Sequence, residues 1–70
     1  MTDATQYSQE ELLQYTMQQF EENEEFRKKV TKEVHRKDIE AIKILIIKLF
    51  KTITKSALQY ITEKFLDRLM

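Results

Sequence analysis

The sequence predicts an all-α protein, and three observations lead there. The 70 residues contain no glycine and no proline, the two residues that most reliably punctuate tight turns and strand ends. Apolar residues recur three and four positions apart over most of the chain, the period of a helix buried along one side. The run Ser8-Gln9-Glu10-Glu11 has the form of a capping box, in which the serine accepts from the third amide of the helix and the glutamate reaches back to the serine amide.

Residues 1–7, MTDATQY, are polar and without periodicity, so a disordered tail is expected there. A helix opens at Ser8, with Tyr7 and Leu12 at the flanking positions of a hydrophobic staple. It carries Leu12, Leu13, Thr16, Met17 and Phe20 along one face, with Tyr15 off that stripe. Around Glu21, Glu22, Asn23, Glu24 and Glu25 the pattern lapses, and Asn23 marks a turn and a cap for the next helix. Phe26, Val30 and Val34 then form a narrow apolar stripe opposite Lys28, Lys29, Lys32, His35 and Arg36, a basic amphipathic helix over residues 27–37.

Asp38 is suited to cap a further helix, although nothing there forces a corner. From Ile39 to the end no break signal is found. Ile42, Ile46, Leu49, Phe50, Ile53, Ala57, Tyr60 and Ile61 make one stripe, which implies a long C-terminal helix. The expected architecture is a single helical domain over residues 8–70, with two to three helices.

Self-association follows from size. A chain this short builds a small core and usually adds disulfides, metal or partner chains, and it has no cysteine and one histidine. A helix over residues 39–69 would be about 46 Å long, against a radius of gyration of about 11 Å for a globule of this length. One end would stand bare, so a helical bundle formed by a homodimer or higher homo-oligomer is expected. Its interface would draw on Ile42, Leu45, Ile46, Leu49, Phe50, Ile53, Tyr60 and Ile61. The net charge of zero hides a polarity: residues 1–25 hold seven acids and no base (−7), and residues 26–70 hold twelve bases and five acids (+7). Such asymmetry bears on partners.

Enzyme chemistry is not expected. His35 is the one group titrating near neutrality, and beside it only Asp38 is placed to orient it, with no nucleophile. The acidic cluster of Glu21, Glu22, Glu24 and Glu25 lacks the spacing and glycine of a calcium loop, so neither metal nor cofactor is expected. The function read from the sequence is a non-enzymatic protein–protein interaction module, a small adaptor, regulator or assembly subunit working through helix faces. One alternative is a nucleic-acid-associated regulator using Lys28, Lys29, Lys32 and Arg36, a face suited to polyanions or to an acidic partner. The other is a peripheral membrane protein, against which Ile44, Leu45 and Ile47 point in directions too divergent for one plane. No signal peptide or spanning helix is read, and a cytoplasmic location is the expectation.

Overall fold

The computed structural model describes residues 2–70. Four helices follow one another: α1 (Gln9–Glu22), α2 (Glu24–Arg36), α3 (Ile39–Ile47) and α4 (Lys55–Leu69). Two short strands, β1 (Thr2–Asp3) and β2 (Phe50–Thr52), pair in parallel, Thr2 opposite Phe50 and Asp3 opposite Thr52. The class is helical as expected, but the helices number four and not two to three.

Each helix begins where a side-chain oxygen is available to its free amides. Ser8 Oγ accepts from the Glu11 amide at 3.2 Å while Glu11 Oε1 accepts from the Ser8 amide at 3.0 Å, so the capping box forms as read. Asn23, Asp38 and Thr54 cap α2, α3 and α4, accepting from the amides of Phe26, Ala41 and Ala57, each at 3.1 Å. Asn23 and Asp38 are therefore both true corners. Asn23 turns the chain with an extended φ of −97°, not a left-handed one.

The left-handed residue is Lys37, at φ 58°. Its amide donates to Val34 O and that of Asp38 to Glu33 O, both at 3.0 Å, the hydrogen-bond pair that closes a helix when the next residue is left-handed. A β-carbon there costs about 1 kcal/mol that glycine avoids. Lys37→Gly is expected to raise stability by a few tenths to about 1 kcal/mol, glycine's extra chain entropy offsetting part of the gain. Urea unfolding reads this as a higher midpoint, and a clearly lower one would contradict the assigned conformation.

The long C-terminal helix does not form. Helix α3 ends at Ile47, its last turn tightening as the Leu49 amide donates to Ile46 O at 3.0 Å. The chain then runs extended through Phe50, Lys51 and Thr52 and restarts at the Thr54 cap. The local chemistry is favourable, because Phe50, Thr52, Ile53 and Thr54 are aromatic or β-branched and prefer extended backbone. Phe50, 3% exposed, packs its ring 5.5 Å from that of Tyr15.

The segment read as a disordered tail has structure over its described residues, and Met1 lies outside them. After β1, residues 4–6 form a 3₁₀ turn capped by Asp3, whose carboxylate accepts from the Thr5 hydroxyl at 2.7 Å and the Thr5 amide at 3.0 Å. Ala4 enters the core at 4% exposure.

These bonds make stability depend on acid. The Thr5 hydroxyl and then its amide hold the Asp3 carboxyl below its ordinary 3.8, and the Ser8 amide and then its hydroxyl hold Glu11 below 4.5. A folded pKa below the unfolded value contributes stability that is complete above the unfolded value and is lost as pH falls through the folded one. Thermal melts are expected to weaken progressively below about pH 4.5, and Glu11→Gln, which removes the titrating carboxylate while leaving the Ser8 amide a partner, is expected to flatten the slope. An unchanged slope in that variant would show that Glu11 is not the group responsible.

Helix α1 packs on α2 and α4, and α3 packs on the same two helices, so α1 and α3 face each other across the unit. Between them lies one core in which Val30, Ile42, Ile46, Ile61 and Phe65 are wholly buried. Phe65 sits at its centre, edge-on to Phe20 at 5.6 Å and stacked on Phe26 at 6.4 Å. The two fully covered threonines bond backward within their own helices, Thr16 to Leu12 O at 2.9 Å and Thr62 to Leu58 O at 2.7 Å. The radius of gyration is 11.0 Å, the value expected of a lone globule of this length.

Candidate interaction surface

The eight residues expected at a dimer interface divide sharply. Ile42, Ile46 and Ile61 are at 0% exposure and Phe50 at 3%, so within one chain they are already core. Leu45, Leu49, Ile53 and Tyr60 are half-buried and pack against that core. The bare 31-residue helix that would need a second chain to cover it does not form, because the break at β2 folds α4 back beside α3.

The basic helix forms, and Lys28, Lys29, Lys32 and Arg36 are all exposed on it. Three of the four are paired along the helix: Lys28 with Glu24 at 3.2 Å, Lys29 with Glu25 at 3.0 Å and Arg36 with Glu33 at 3.4 Å. Among the described residues Lys32 alone of the four has no acid within ion-pair distance. Exposed pairs of this kind contribute little to stability, but they place a carboxylate beside each cation that a phosphate would have to approach. Helix α2 carries five cations and three carboxylates, a net +2.

A different surface emerges on α3. Because this helix is only nine residues long and covers the core with Ile42 and Ile46, its other side turns outward. Ile44 is 53% and Ile47 42% exposed there. Leu45 turns inward against the core, so the divergence read from the sequence is resolved: three positions apart, Ile44 and Ile47 lie about 60° from each other around the axis.

Open grooves lie on both sides of this ridge. Toward α2 the lining includes Lys29, Lys32, Ala41 and Ile44. Toward α4 it includes Ile47, Lys51, Ile53, Lys55 and Leu58, with a volume of about 470 Å³. From residue 41 to residue 62 the chain holds four lysines, Lys43, Lys48, Lys51 and Lys55, and no acid. Two carboxylates reach the lysines from outside that run, Glu40, 3.6 Å from Lys43, and Asp3, near Lys51 across the strand pair. On the far side of the molecule the outward face of α1 shows Glu10, Glu11, Gln14, Gln18, Glu21 and Glu22, all exposed and with no base among them.

His35 borders an open hollow with Phe20, Thr31, Val34 and Leu69, while the Asp38 carboxylate is taken by the Ala41 amide. Tyr60 donates its hydroxyl to Glu10 at 3.0 Å, which together with burial and the Glu10 charge raises its pKa and keeps the proton on the phenol. Among the described residues no three acids, histidines or cysteines gather in a way that would hold a metal ion. Nor is any helix long and apolar enough to cross a membrane. No family model matches this chain, and neither does any curated protein or solved structure.

Proposed function

We propose that this chain is a non-enzymatic interaction module that docks through the outward face of α3. One observation carries the reading. Ile44 and Ile47 stand about half in solvent in the middle of a stretch whose only charged residues, from 41 to 62, are lysines. Apolar anchors supply affinity, while a mainly basic surround, in which Glu40 is paired with Lys43, selects and orients the partner. A chain that covers Ile42, Ile46 and Ile61 by itself leaves no bare core helix that requires a second copy. The nucleic-acid reading is weakened by the carboxylates that accompany the cations of α2.

Sedimentation of extract from the protein's native cells tests the docking face. The wild type is expected to travel with a larger body, and a folded Ile44→Asp, Ile47→Asp variant to stay free. If both distribute alike, this face does not dock.

A further inference from the structure

We infer that the body met by this face is an anionic lipid bilayer surface, with Ile44 and Ile47 entering the headgroup boundary and the flanking lysines meeting lipid phosphates. The inference rests on the docking reading and names its partner. Three features of the face choose among occupants.

The first is shape. The two isoleucines form the crest of α3, each at the edge of an open hollow, with Lys32, unpaired among the described residues, beside Glu33 on the slope toward α2 and Lys51 and Lys55 on the slope toward α4. A flat, deformable surface accepts a ridge without being built for it, whereas a protein partner would have to be concave to match. The second is extent. Two half-exposed isoleucines fall far short of the roughly 800 Å² per partner of a stable protein interface. One modest apolar anchor together with a basic patch is, by contrast, the pairing of signals that gives reversible bilayer binding.

The third is charge. A second copy is a poor occupant, since a two-fold contact of this face with itself sets lysine against lysine. A head-to-tail contact that set these lysines against the α1 glutamates would lay the isoleucines over charged and amide side chains. Toward an anionic bilayer the same distribution is favourable. The lysines are drawn in, Glu40, one turn before Ile44 on the same face, is offset by its pair with Lys43, and the α1 carboxylates, across the molecule, are held away from the surface.

Co-sedimentation with vesicles tests this, using phosphatidylcholine with phosphatidylserine in one arm and phosphatidylcholine alone in the other. Binding is expected in the first arm only, and it should weaken as salt is raised. Neutralising three lysines in Lys48→Gln, Lys51→Gln, Lys55→Gln is expected to lower partitioning on the order of 100-fold, at roughly fivefold for each charge. Ile44→Asp with Ile47→Asp is expected to abolish binding, and Glu21→Gln with Glu22→Gln on the opposite face to leave it intact, with circular dichroism confirming the fold of every variant.

Failure of the folded wild type to bind the anionic vesicles overturns the inference, as does binding that survives the isoleucine substitutions or binding to a nucleic-acid duplex in place of vesicles. If vesicles fail while sedimentation from native extract still depends on Ile44 and Ile47, the docking face stands and the bilayer inference falls. If both fail, the docking reading falls as well.

Discussion

Phe65→Ala is expected to abolish cooperative folding at room temperature. The Phe65 side chain is wholly buried and joins three helices, touching Phe20 of α1 and Phe26 of α2 from its place on α4. Removing a buried phenylalanine costs about 3–5 kcal/mol, the lost transfer energy being enlarged by the cavity left behind. A core this small supplies about that much in total. The urea transition should lose its folded baseline and the near-ultraviolet dichroism should collapse, with some helical signal remaining. A variant that still unfolds cooperatively with a loss below about 1 kcal/mol would place Phe65 outside the core.

On α3, neighbouring isoleucines are expected to behave in opposite ways. Ile46→Ala should cost about 2–5 kcal/mol because the residue has no exposed surface and its removal opens a cavity. Ile47→Ala, one position along, should stay within about 0.5 kcal/mol because that side chain already meets water. The contrast matters for function. A residue that can be cut back without loss of fold is free to serve a contact, and a residue holding the core is not. Equal losses at the two positions would mean that α3 is covered all round, as in a self-associated bundle, and the docking face would not exist.

The corners of this fold are legible in the sequence because they are chemical events confined to four residues. Ser8, Asn23 and Asp38 each carry an oxygen that reaches a helix amide three positions on, and each does so. The break between α3 and α4 hides behind the apolar spacing. Ile46, Phe50, Ile53 and Ala57 keep intervals of three and four because the residues on both sides of β2 point into the same core. Periodicity therefore runs unbroken through a chain that does not. The signal that could have exposed it is the run Phe50, Lys51, Thr52, Ile53, Thr54, rich in extended-favouring side chains and ending in a residue suited to cap.

The interaction surface is hidden for a related reason. Ile42, Ile44, Ile46 and Ile47 differ only in direction, and direction depends on which neighbours cover the helix. The seven acids before residue 26 and the basic run after them are the most conspicuous charge pattern in the sequence, and that run lies on α2. The stretch from residue 41 to residue 62, with four lysines and no acid, is the better marker. Lysine side chains there have no carboxylate a turn away to meet, apart from Lys43 with Glu40.

The central claim is that one chain buries Ile42 and Ile46 by itself and leaves Ile44 and Ile47 facing out. The native sequence contains no cysteine, so a single introduced thiol reports without background. Ile42→Cys, Ile44→Cys, Ile46→Cys and Ile47→Cys are to be labelled under native conditions at several protein concentrations. Thiols at 44 and 47 are expected to react at nearly the rate of the unfolded chain whatever the concentration, and those at 42 and 46 to lag by orders of magnitude. Similar rates at all four positions, or protection at 44 and 47 that grows with concentration, would contradict the account.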